Sequence, residues 1–68
     1  MAVDKIDKRF GSIAIRKGFI TTEQLIDALT LQVRENIYKS EHRLIGSILR
    51  EMGYLSVDQI DEILTDMI

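Results

Sequence analysis

Apolar residues recur at helical spacing along most of the chain, in four successive stripes. Ile6, Phe10, Ile13 and Ala14 form the first stripe. They predict a helix that starts near Asp4 or Asp7, either of which can cap free backbone N–H groups. Gly18 fits the position just past its end, where a left-handed backbone is needed, and Arg16 and Lys17 oppose the negative end of the helix dipole. Thr21 is the expected N-cap of a second helix. Gln24, three residues on, completes a capping box, and Ile20 and Leu25 are placed as a hydrophobic staple. Leu25, Ala28, Leu29, Gln32 and Val33 then share one face, and the helix is expected to continue to Tyr38. Ser40 is the expected cap of a third helix, bearing Leu44, Ile45, Ile48, Leu49 and Met52 and stopping at Gly53. Leu55, Ser56, Gln59 and Ile60 repeat the staple and box, opening a fourth helix through Ile63, Leu64 and Met67. No strand pattern competes. The expected fold class is all-α, with two helix-turn-helix hairpins in tandem.

The four glycines fall in two matching pairs, Gly11 with Gly18 and Gly46 with Gly53, the second pair 35 residues after the first. The flanking residues repeat with them: Gly-Ser-Ile, then Gly, an aromatic, an aliphatic, a hydroxyl residue and later Leu-Thr. A period of this size marks one supersecondary unit used twice. The expectation is a single domain over residues 1–68, with repeat one at about 9–32 and repeat two at about 44–67. Gly11 and Gly46 are not helix stops, and inside a helix Gly costs ~1 kcal/mol relative to Ala. Close helix packing would explain them. So would the approach of a ligand or partner to the backbone, or, if a helix starts near residue 10, free N–H groups facing an anion.

Composition narrows the chemistry. With 68 residues a single core is only just adequate, and there is no cysteine to staple it or to act as nucleophile. His42 is the one histidine, which makes a metal centre improbable. Ser40 and His42 stand two apart on a helix start, where side chains do not face each other, and Asp58, Asp61 and Glu62 read as a solvated face. No phosphate-binding loop or dinucleotide fingerprint appears, and the chain is not expected to be an enzyme. No apolar run is longer than three residues, as in Ile13-Ala14-Ile15, and the N-terminal stretch is charged, so a cytoplasmic protein without membrane insertion is expected. Net charge is −2, but residues 1–18 hold five Lys or Arg against two Asp, while five acids and no base follow Arg50. Two solvated helix faces would account for this, and so would a basic edge that meets an anionic ligand or acidic partner.

The stretch from Arg9 through Phe10-Gly11-Ser12-Ile13-Ala14-Ile15-Arg16-Lys17-Gly18-Phe19-Ile20-Thr21, continuing to Leu25, Ala28-Leu29 and Gln32, resembles a known motif. It is similar to the N-terminal domain of bacterial type II secretion and type IV pilus assembly ATPases, the GspE N-terminal or MshEN domain. The resemblance runs from Arg9 to Met67. It implies ligand contacts by Arg9 through its guanidinium fork, by Phe10 packing on a base, and by Gly11 admitting the ligand to the backbone. Gln32 would read a polar base edge, and Ile13 and Leu29 would supply apolar contact. In the second copy Gly46 aligns, but Leu44 stands at the arginine position, Arg43 is one place early, and Met67 replaces the closing glutamine. The spacer from Val33 to His42 is also longer than the family's.

The first functional reading is a non-catalytic regulatory or docking module acting through protein–protein contacts, with a secretion or pilus assembly component as partner. The second is a cyclic di-GMP receptor using mainly the first repeat, with Arg43 reaching in or a homodimer pairing two first copies. A third is a helix-turn-helix DNA-binding protein. Against it, the second helix of each hairpin is poor in bases, with Arg34 alone on one and none on the other.

Overall fold

The computed structural model describes residues 5–39 and 43–68; of residues 5 and 6 it describes the backbone only. Four helices follow in order: α1 Lys5–Arg16, α2 Thr22–Tyr38, α3 Ile45–Glu51 and α4 Val57–Met67. No strand occurs among the described residues. Asp4, Ser40 and His42, and the side chain of Ile6, lie outside them.

Two local devices end and restart the chain in the same way. Gly18 and Gly53 take φ values of 77° and 83°, the left-handed region that a Cβ disfavours. At the first turn the Gly18 N–H donates to the Ile15 carbonyl and the Phe19 N–H to Ala14, at 2.9 and 3.0 Å. At the second, Gly53 donates to Arg50 and Tyr54 to Leu49, at 3.0 and 2.9 Å. These bonds satisfy carbonyls that the helix ends leave orphaned. Both capping boxes are formed. Thr21 Oγ1 accepts from the Gln24 N–H while Gln24 Oε1 accepts from the Thr21 N–H, and Ser56 and Gln59 do the same. Each N-cap stabilises its helix by ~1 kcal/mol.

The third helix departs from expectation. It begins at Ile45, not near Ser40, and its N-cap Leu44 makes no side-chain cap bond. Leu44 is 66% exposed and Met52 is the C-cap, so neither belongs to a fully buried stripe. The cause is a tertiary contact. The Ile45 N–H, an orphan donor of the first turn, is taken by Asp7 of α1 at 3.3 Å. Asp7 is thus no helix cap; it lies buried in the first turn of α1.

The hairpins are not self-contained. The main helix contacts run α2 to α3, α1 to α4 and α1 to α3, each joining one half of the chain to the other. Neither half can bury its apolar face alone, so the core forms only when both halves meet. That core is Phe10, Ile13, Ala14, Ile20, Ala28, Ile45, Ile48, Leu49, Leu55 and Ile63. The ten fall into five pairs, each 35 residues apart, beginning with Phe10 and Ile45. On the outer edge Lys17 reaches Glu62 and Asp66 of α4 at 3.1 and 2.8 Å, tying the basic N-terminal segment to the acidic C-terminal one. Such exposed pairs contribute little to stability but favour this helix pairing.

Gly11 and Gly46 are both buried, and protein atoms fill the space in front of each. A Cβ on Gly11 would lie 2.8 Å from a methyl tip of Leu25; one on Gly46 would lie 2.9 Å from the ring of Phe10. Leu25 is half-buried and can turn aside, whereas the Phe10 ring is enclosed in the core. Gly11→Ala should therefore be close to neutral, with helix propensity offsetting the displaced leucine. Gly46→Ala should cost about 1–3 kcal/mol through overpacking. Urea denaturation of the two variants checks the order, and equal costs would contradict it.

Candidate functional site

Two of the residues singled out by the sequence, Gln32 and Arg43, meet Asp7 around the start of α3 in a partly buried polar cluster. Asp7 sits one turn before Phe10 on the buried stripe of α1, so its carboxylate points at the α2–α3 junction rather than at solvent. Gln32 comes from the inner face of α2. Its amide nitrogen donates to Asp7 Oδ2 at 2.7 Å and to the Arg43 carbonyl at 3.0 Å. Asp7 Oδ1 takes the Ile45 N–H. One carboxylate and one amide thereby join α1, α2 and the entry to α3.

A second set of bonds holds the same junction from outside. The Arg43 guanidinium forks onto Glu35, with Nε to Oε1 at 2.9 Å and Nη2 to Oε2 at 2.6 Å, and it also reaches Glu51. The paired hydrogen bonds match the planar geometry of both groups. Hydrogen bonding from Arg43 holds the Glu35 carboxyl below its ordinary 4.5, against the opposing effect of burial. The same pairing, first with Glu35 and then with Glu51, pushes the Arg43 guanidinium up. No buried side-chain nitrogen or oxygen among the described residues lacks a partner.

An open cleft of about 590 Å³ lies beside this junction, between α1, the 43–51 segment and α4. Phe10 and Gly46 line it together with Asp7 and Arg43. Leu44, Ser47, Arg50, Glu51, Val57, Ile60 and Leu64 complete the lining. Leu44, Val57 and Leu64 are substantially exposed. Among the described residues Arg50 has no ion pair, unlike Arg43.

Comparison with protein-family models, with curated proteins and with solved structures finds no match. Function must therefore be read from the geometry. Of the eight residues taken as ligand contacts, Phe10, Arg43 and Gly46 share the cleft. Gln32 is joined to it only through the polar cluster. Arg9 and Ile13 line a different groove, with Arg16, Lys17 and Asp66, and Leu29 lies on the outer groove of α2. Gly11 is covered by Leu25. Among the described residues no group of three or more His, Cys, Asp or Glu could hold a metal ion.

Asp7, Glu35 and Glu51 are the members that the sequence reading missed. The signal for two of them was present. Asp7 is three residues before Phe10 and seven before Ala14, and Glu35 is three after Gln32 and seven after Ala28. Each is an acid set on an otherwise inward stripe, which requires a buried partner.

Two outcomes follow from this cluster. Asp7→Ala strands the Ile45 N–H and removes one Gln32 bond, and should cost about 2–4 kcal/mol in a denaturant titration, with Asp7→Asn losing less. A loss below ~0.5 kcal/mol would show that water replaces the carboxylate. Glu35 is more acidic in the folded chain than in the unfolded one. It therefore contributes stability above pH 4.5, which is lost as pH falls through its lowered folded value. Glu35→Gln should flatten the fall in denaturation midpoint as pH drops below 4.5; an unchanged slope would assign acid sensitivity to other carboxylates.

Proposed function

We propose that the chain is a non-catalytic docking or regulatory module of the secretion-ATPase N-terminal type. It acts through protein contacts, and the cleft between α1, the 43–51 segment and α4 is the contact surface. The observation that carries this reading is the contrast between used polar groups and unused apolar ones. Gln32 and Arg43 spend their donors on Asp7, Glu35, Glu51 and a backbone carbonyl, whereas Leu44, Val57 and Leu64 present apolar surface around the cleft. A nucleotide needs free donors converging on its phosphates and base edges. A protein segment needs an apolar trough with a charged rim, which Arg50 supplies for an acidic partner residue.

The family resemblance supports a partner among secretion or pilus assembly components, since the corresponding region of those motors is implicated in docking to membrane-platform proteins. Arg9 lines a groove other than the cleft, which speaks against a nucleotide held jointly by Arg9, Gln32 and Arg43. The DNA-binding reading gains nothing: α4 has no Lys or Arg, and Arg34 is the one base of α2.

Binding can be measured by surface plasmon resonance against the cytoplasmic domain of a type II secretion or type IV pilus platform protein from the same genome. Saturable binding is expected, weakened at least about tenfold by Leu64→Glu, since the change puts a charge in the centre of an apolar contact. Calorimetric titration with cyclic di-GMP should give no binding heat. Saturable nucleotide binding that disappears in Arg9→Ala would replace this function with that of a receptor. Failure of every platform domain to bind would remove the secretion partner.

A further inference from the structure

The outer face of α2 takes no part in the cleft or the polar cluster, yet it is built for a contact. Its inner side packs against α3. Ile26, Thr30, Val33 and Ile37 recur at steps of four, three and four along the outside, the spacing of a helix–helix seam. Ile26 and Ile37 are 55% and 59% exposed, and both line a shallow groove of about 460 Å³ with Leu29, Thr30, Val33 and Arg34. Large apolar side chains aligned this way on one helix are unlike apolar residues scattered singly over a surface.

Charge identifies the occupant. Glu23 and Asp27 in the first half of α2 and Arg34 in the second lie on one flank of the stripe, at spacings of four, seven and eleven residues. All three are exposed, and none forms an ion pair among the described residues. If two copies of α2 lie side by side in parallel, these flanks fall on opposite sides of the pair and never meet. If the copies run antiparallel, a two-fold axis perpendicular to both helices brings each charged flank against the same flank of the other copy. An axis level with the peptide between Thr30 and Leu31 then sets Asp27 beside Arg34 of the second copy, twice. The same register places Ile26 between the levels of Val33 and Ile37 of the second copy, so the apolar stripe interdigitates. The seam and the charges agree on one arrangement.

We propose that this chain forms a homodimer through the outer face of α2, with the two copies antiparallel and Asp27 paired with Arg34 across the two-fold axis. The interface is isologous, so it closes at two copies and does not propagate. It does not rest on the docking function proposed above, because the cleft lies on other elements and stays open in the dimer.

Sedimentation equilibrium over a wide concentration range should show twice the protomer mass at high concentration. Val33→Glu, a half-buried position on the seam, should weaken the dimer by at least about tenfold while circular dichroism stays helical. Asp27→Arg and Arg34→Asp should each weaken it several-fold, and the double reversal should restore it, because the repelled pairs become attractive again. The absence of native cysteine makes single cysteines clean reporters of direction. Thr30→Cys, near the axis, should form an intermolecular disulfide on mild oxidation. Glu23→Cys should not, since its counterpart lies about 22 Å away along the helix axis. A monomer at all concentrations would overturn the proposal, and would leave the face to a different protein. Cross-linking of Glu23→Cys as fast as Thr30→Cys would overturn the antiparallel arrangement, and a double reversal no better than the singles would overturn the Asp27–Arg34 pairing.

Discussion

The carboxylate of Asp7 is the constraint on which the arrangement of helices depends. It sits in a core otherwise made of aliphatic side chains and one aromatic ring, where an unpartnered polar group would be costly. Its oxygens are satisfied by a side chain of α2 and by the first N–H of α3, so it fixes two neighbours at once. Apolar packing is tolerant of sliding by a fraction of a turn; a carboxylate with one donor on each oxygen is not. The seven-residue α3 has too few hydrogen bonds of its own to hold a position in water. It is held by Asp7 at its first residue, by Arg43 bridging Glu35 to Glu51 along its side, and by its buried apolar residues.

The legible parts of the fold are those decided by residues close in sequence. Both capping boxes and both left-handed glycine turns follow from four-residue patterns, and the structure forms all of them. The helical face of the fourth helix is equally local, with Ile63 fully buried and Asp58, Asp61 and Glu62 outside. The start of α3 was not legible, because it is set by an acid 38 residues away rather than by its own cap. Nor was the pairing of helices. The helices that meet most, α2 with α3 and α1 with α3 and α4, lie in different halves of the chain, and no residue pattern within one half shows that. The candidate site was legible in residue types more than in geometry. Gln32 and Arg43 stand out in the sequence as polar residues with a special task, but that task lies within the fold; of its other members Asp7 reads as a cap, Glu51 as one acid of a charged segment, and Glu35 gives no reading of its own.

Charge distribution shows the same shift from external to internal explanation. The basic first segment and acidic last segment meet, with Lys17 set between Glu62 and Asp66. Part of the imbalance is therefore used to choose α4 as the neighbour of α1. Arg9 and Arg16 remain exposed beside this contact, in a groove that is basic but already contains Asp66. An anion arriving there would compete with a carboxylate in place, which argues against reading the segment as a dedicated phosphate site.

The apolar interior and the polar cluster obey different symmetries. The core residues pair at 35, and so do the two tight-packed glycines. The hydrogen-bonded pair at the centre of the polar cluster does not repeat: 35 residues after Gln32 stands Met67, and 35 after Asp7 stands His42. The asymmetry therefore sits where α2 hands over to α3. Gln32, Glu35 and Arg43 are accounted for by folding. The groups that fix the junction are consumed by it. What folding leaves unused is the apolar cleft with Arg50, which has no ion pair among the described residues, and the outward stripe of α2 with its divided charges.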